Sequence, residues 1–268
     1  MSNRAKIREE AKKLNPIDDV MFRKMAESID FCQENLQVIL DDPDLIVKES
    51  IPQWTGENLQ GRSVILDAKC VLGNGTHTDI EVQKADNDDH QRRVRYNGAI
   101  LTTNVTDPGS DFKKVPNVCV VYISQFDVFK ENRALYHVDR VLRETGHTVD
   151  NGYQEIYVNA IVKDGSAVSE LMEVFTKDDA YNPKFPETSS LKKHYKETER
   201  GIEIMSDIVE KIREEGRAEG LAEGRVEGSQ DAFFVLNKLQ NSGRTEDIQK
   251  ALNDKNYLDR LIQQFCGK

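Results

Sequence analysis

The sequence predicts an α/β fold: a mixed sheet flanked by helices, followed by a helical C-terminal tail. Three observations carry that expectation. Two strand-like runs, 62–72 and 77–84, are joined by a Gly-Asn-Gly turn. Two further runs, PNVCVVYIS (116–124) and YQEIYVNAIV (153–162), have the composition of buried strands. Helical patterning lies before, between and after these segments.

Taken in order, residues 4–14 are basic and helix-compatible, and read as an arm ahead of the Asn15-Pro16 break. IDDVMFRKMAES reads as a helix with Val20, Met21, Phe22 and Met25 inward, and FCQENLQVIL as a second that stops before Asp41-Asp42-Pro43. LIVKESIP is a strand ended by Pro52. Residues 86–104 read as a helix with acids in its first turn and Arg92, Arg93, Arg95 and Tyr96 grouped. Residues 165–186 are irregular with helix at 167–176, and helix dominates from Leu191.

The 268 residues accommodate a domain over 1–200 and an acidic Glu/Gly/Arg-repeat helical tail over 201–268. In the tail Gly216, Gly220, Gly224 and Gly228 recur every four residues. Each costs a helix interior roughly 0.8–1 kcal/mol relative to alanine. Either these glycines admit a second helix, as in a homo-oligomer, or the segment is a mobile linker; the linker is the expectation. The closing stretch TEDIQKALNDKNYLDRLIQQF is amphipathic, with Thr245 as its expected cap, and should dock.

Net charge is −10, with 38% hydrophobic and 31% charged residues. Residues 197–231 hold eleven acids and five bases, so −6 sits there and −4 in all the rest. That distribution does not exclude DNA as a partner. There is no run of eighteen apolar residues and no signal-like N-terminus, so the expectation is a soluble cytoplasmic protein that meets no membrane. Cys32, Cys70, Cys119 and Cys266 are too scattered for a zinc site and read as reduced thiols.

The chemistry concentrates in the central hairpin. Asp67 is followed by Glu81 and Gln83 in the pattern D-(x)13-E-x-Q. Each strand carries a carboxylate where a buried strand ordinarily has Val or Ile. Two such acids on adjoining strands form a hard, oxygen-rich pocket suited to Mg2+ or Mn2+, ions that activate water for phosphodiester cleavage. Glu81 and Gln83 share a face because strand side chains alternate. Register decides the pocket. A two-residue Asn74-Gly75 turn sets Asp67 against Val82, whereas a three-residue Gly73-Asn74-Gly75 loop with Gly75 left-handed sets it against Glu81, roughly 4.5–5.5 Å away at Cα. The metal reading requires the second, or an equivalent bulge.

These residues resemble the PD-(D/E)XK nuclease superfamily, and within it the recombination-promoting nuclease / putative transposase family. Asp19-Val20-Met21-Phe22-Arg23 is similar to that family's D-x-x-F-K/R opening. ILDAKCVLGNGTHTDIEVQ is similar to its central hairpin, and Arg93 and Tyr96 to its R-x-x-Y. The likeness covers about 14–200 well and the tail loosely.

The resemblance implies a restriction-endonuclease-like fold and a magnesium-dependent DNA endonuclease associated with recombination or mobile elements. It implies that Asp67 and Glu81 hold the ion with the Val82 carbonyl, and that Gln83 positions the attacking water. Asp19 completes the acid cluster or orients a metal-bound water, Arg93 contacts phosphate, and Tyr96 orders the pocket or stacks on a base. Gln83 departs from the superfamily's lysine and brings no positive charge. Lys69, on the same side as Asp67, is a candidate to replace that charge and to meet DNA.

A structural account stands beside each role. Asp67 and Glu81 could be a cross-strand pair bridged to Lys69, Asp19 a helix-dipole acid, and Gln83 a plain surface residue. The arginines could be a solvated face balanced by Asp86, Asp88 and Asp89, and Tyr96 and His77 packing residues. The alternative function is a catalytically weak or inactive nuclease-fold module that binds nucleic acid or a partner.

Overall fold

The computed structural model describes residues 2–267. Its chain packs as two units that divide between Val209 and Glu210.

The first unit is built on a six-stranded mixed sheet. In chain order the strands are β1 (Val47–Pro52), β4 (Ala68–Leu72), β5 (His77–Gln83), β6 (Val118–Ser124), β7 (Leu135–Val138) and β8 (Tyr153–Asn159), arranged spatially as β1-β4-β5-β6-β8-β7. The pairings β5–β6 and β6–β8 are parallel and the others antiparallel. β6, buried along its whole length, holds the centre. A separate two-residue ladder joins β2 (Thr55–Gly56) to β3 (Val64–Ile65).

Alternation along the strands sorts the two faces. Ala68, Cys70, Leu72, Ile80, Val82, Val121 and Ile123 point into the larger core. That core is closed by α1 (Asn3–Ala11), α2 (Asp19–Met25), α3 (Ile29–Ile39), α5 (Ala167–Thr176), α6 (Pro186–Glu197) and the first turns of α7 (Glu199–Asn241). The opposite face, with Val118, Val120, Tyr122 and Tyr157, lies under α4 (His90–Val105), which contributes Val94, Ile100 and Leu101. Gly98 lets α4 lie close to the sheet, because a Cβ there would collide with the Tyr153 ring.

The hairpin takes the three-residue loop. Gly75 sits at φ +88°, Leu72 N–H donates to Thr76 O at 2.9 Å, and the ladder pairs Ala68 with Ile80 and Cys70 with Thr78. Extended by one residue, that register sets Asp67 opposite Glu81. The run 62–72 is nevertheless not one strand. It breaks at Leu66 and Asp67, where Leu66 N–H turns to Trp54 O at 2.9 Å.

Other elements differ from expectation. Residues 4–14 are no free arm, since α1 buries Ile7 and Ala11, and Arg4 and Arg8 pair with Asp207 and Glu199. The helix of 86–104 starts only at His90, with Asp89 capping it, so the acids precede its first turn. α6 begins at Pro186 rather than Leu191, with proline in the first turn where its missing N–H costs nothing. β7 was not foreseen, and neither was the β2–β3 ladder.

α7 is one 43-residue helix that contains Gly216, Gly220, Gly224 and Gly228, where a linker was expected. In the second unit its C-terminal half packs through Val235 and Leu239 against Ala251 of α8 (Thr245–Asn253) and Leu261 of α9 (Lys255–Cys266). The amphipathic stretch is therefore two helices that dock on α7. Thr245 does not cap: Arg244 holds that position, and Asp254 caps α9 by accepting from Tyr257 N–H at 3.2 Å.

Among the described residues no helix is long and apolar enough to cross a membrane.

Candidate active site

Asp67 stands where β4 begins, and its main chain and side chain lock it to β5 in both directions. Its N–H donates to Glu81 Oε1 at 3.0 Å, and its Oδ2 accepts from Val82 N–H at 3.0 Å. Val82 N–H has no ladder partner because Leu66 has turned away to Trp54, so the carboxylate takes the place of a strand. Alternation sends the Val82 carbonyl to that same edge. Asp67 and Glu81 thus converge, and both are almost wholly buried.

A third acid joins them. Asp79 lies two residues before Glu81 on the same face, at 0% exposure under α4. Its Oδ2 is 3.5 Å from Asn97 Nδ2, while no donor reaches Oδ1. That suits a protonated carboxyl donating to Glu81. Burial first, then the neighbouring carboxylates, holds the Asp79 carboxyl well above the usual range. Burial and the charge of Asp67 push Glu81 up to about 7. Burial also raises Asp67, against the pull of Arg23 and the Val82 amide.

Two guanidiniums face these acids. Arg23 of α2 sets Nε at 2.8 Å and Nη2 at 2.7 Å from Asp67 Oδ1. Arg93 of α4 sets Nη1 at 3.1 Å from Gln83 Oε1 and Nη2 at 3.6 Å from Glu81 Oε2. Gln83 therefore shares the face of Glu81, and the positive charge absent at position 83 arrives in space from Arg93. The Gln83 Nε2 donates to Ala85 O at 2.8 Å.

The remaining expected residues fall at varying distances. Asp19 is exposed at the start of α2; it contacts Arg23 at 3.6 Å, and its charge adds to the raising of Asp67. Lys69 lies opposite Asp79 on the acid face, but its ammonium sits over the Trp54 ring at 5.2 Å. Among the described residues no carboxylate lies within 4 Å of it, so it does not bridge Asp67 and Glu81. Tyr96 is tied by its hydroxyl to Arg62 O at 2.5 Å and Asn58 Nδ2 at 3.1 Å. Asp79 was legible from period-two alternation. Arg23 lay within the opening motif without a role.

The donor set fits a hard divalent ion. The two carboxylates and the Val82 carbonyl offer oxygen donors, and burial, which raises both carboxyls, is a cost that a bound cation would relieve. Among the described residues no three His, Cys, Asp or Glu side chains are grouped so that they alone could hold a metal ion.

The sequence model of one family, described as PD-(D/E)XK nuclease family transposase, matches residues 16–160. The chain belongs to that family. No curated protein and no solved structure matches it. For a PD-(D/E)XK nuclease family transposase, the mixed sheet flanked by helices is consistent with the restriction-endonuclease-like fold. The matched span runs from just before α2 to just after β8, so every element of the acid cluster lies inside it. Membership supports a nuclease or mobile-element function.

Proposed function

We propose that this chain is a divalent-metal-dependent DNA endonuclease acting in recombination or movement of mobile elements. One observation carries the reading: Asp67 and Glu81 are buried side by side, with Asp67 N–H donating to Glu81 Oε1 and Asp67 Oδ2 accepting from Val82 N–H, and burial raises both carboxyls.

Asp67, Glu81 and the Val82 carbonyl are the groups that would hold Mg2+ or Mn2+. The bound ion supplies an activated water and neutralises charge on the phosphate. Gln83 orients that water or a phosphate oxygen through its amide. Arg93 contacts the scissile phosphate and strengthens that contact as charge develops. Arg23 balances Asp67 and stands beside the same cleft, with Asp19 steering it by their 3.6 Å contact. Lys69, held over Trp54, adds positive potential at the floor.

Plasmid cleavage tests the reading. The purified protein should nick supercoiled DNA with Mg2+ or Mn2+ and not with chelator, and Asp67→Ala and Glu81→Ala should each remove the activity while folding. Cleavage that survives both substitutions contradicts it. The second reading, an inactive nuclease-fold binding module, draws on the hold of Arg23 on Asp67 and the missing lysine at 83. It expects DNA retention in a gel shift without cutting under any metal.

A further inference from the structure

Beside the acid cluster, between α4 and the segment 62–65, lies a recess of about 690 Å³. Arg62, Arg92, Arg93 and Arg95 line it with Tyr96 and Ile65, and Asp88 and Asp89 line it as well. Four arginines against two aspartates give this wall an excess of positive charge, in a chain of net charge −10. Arg92 is matched by Asp89 at 3.2 Å. Arg62 and Arg95 are exposed, and among the described residues neither has a carboxylate within 4 Å.

The recess is built rather than incidental. The Tyr96 hydroxyl accepts from Asn58 and donates to the Arg62 carbonyl, and Asn58 N–H donates to Ser63 Oγ at 3.1 Å. These bonds pin the loop that carries Arg62 against α4. Ile65, 59% exposed, adds an apolar side chain to the lining that also holds Tyr96. The inner end is Arg93, which already touches Gln83 and Glu81.

We infer that this recess binds an unpaired stretch of DNA leading to the scissile phosphate, with Arg62 and Arg95 on its phosphates and a base against Tyr96 and Ile65. Its volume lies within the small-ligand range of roughly 300–1,000 Å³. One or two nucleotides fill such a space, whereas a paired duplex is too wide to enter. Arginine along a backbone track with an aromatic face for bases is the chemistry of single-strand binding. The inference rests on the nuclease reading and narrows its substrate to DNA with a single-stranded segment, such as an overhang, flap or branch.

Fluorescence anisotropy of the full chain in chelator, where no cutting occurs, tests this. The probes are a labelled single strand, the same strand in a blunt duplex, and a duplex with an overhang. The single strand and the overhang should bind at least about tenfold more tightly than the blunt duplex. The double variant Arg62→Gln/Arg95→Gln should lose roughly tenfold on those two probes and lower the salt slope by more than one, with the blunt duplex little changed. Equal affinity for all three probes, or a folded double variant that binds like wild type, overturns the inference. Single-strand binding without metal-dependent plasmid cleavage leaves the recess assignment standing and removes the nuclease reading. Cleavage with an indifferent double variant does the reverse.

Discussion

Arg23 grips Asp67 Oδ1 with two nitrogens, at 2.8 and 2.7 Å, and so places a cation against one of the two proposed metal ligands. This is a charge-assisted contact from a half-buried guanidinium to one oxygen of a buried carboxylate, whose other oxygen accepts from Val82 N–H. It accounts for how a cluster of acids tolerates burial before an ion arrives. It also sets up competition for Asp67.

Arg23→Gln should therefore separate two effects. The metal-free protein should lose about 2 kcal/mol, because a buried carboxylate is left unpaired. Saturating Mn2+ should restore most of that loss, and Mn2+ should bind several-fold more tightly than in wild type as a competing positive charge is gone. Chemical denaturation with and without Mn2+ reads both, and an Arg23→Gln protein as stable as wild type in chelator contradicts the assignment.

Glu81→Gln should behave in the opposite way. The amide keeps the shape and can still accept from Asp67 N–H, while the expense of burying a second charge disappears. Metal-free stability should stay level or rise, and nicking should fall by at least about a hundredfold. A destabilised variant that still cuts is the contrary result.

The raised carboxyl of Glu81 gives a signed pH dependence. The folded state holds a proton that the unfolded chain releases between its ordinary value of 4.5 and about 7. Stability of the metal-free protein should thus fall as pH rises through that window, by up to about 3 kcal/mol from Glu81, with Asp67 and Asp79 adding the same sign. Melting in chelator from pH 5 to pH 8 should show this decline, weakened in Glu81→Gln, and Mn2+ should raise Tm more at pH 8 than at pH 5. A melting temperature that climbs across the window contradicts the buried-acid picture.

Much of this was readable from the chain, for identifiable reasons. Gly73, Asn74 and Gly75 admit only a few loop conformations, and the one with Gly75 left-handed set the register that joins Asp67 to Glu81. The apolar runs of β6 and β8 left little alternative to buried strands. What escaped was short or decided at long range. Two-residue β2 and β3 carry no periodic signal, and the break at Leu66 depends on the Trp54 carbonyl twelve positions earlier. The ammonium of Lys69 turns to Trp54, an interaction that spacing alone does not encode. In α7 the charged and apolar residues between the glycines sustain a helix that glycine propensity alone argues against.

Buried lysine provides a check on the scaffold rather than the site. Lys192 of α6 is fully buried and directs its ammonium to the carbonyls of Val174 and Lys177, at the C-terminal end of α5, and of Ala180 in the loop that follows. Lys192→Met should strand three acceptors, of which the Val174 carbonyl is buried, and cost about 1–3 kcal/mol in urea denaturation. A loss below about 0.5 kcal/mol would mean that those carbonyls find water instead.

Calorimetric titration of Mn2+ into the wild-type chain and into Glu81→Gln, at pH 8, tests the central claim most directly. Joint ligation by Asp67 and Glu81 predicts one saturable site in the wild type that weakens at least about tenfold in the variant while its fold persists. Binding of equal strength in both proteins, or no heat of binding in either, contradicts the claim that these two acids form a metal site.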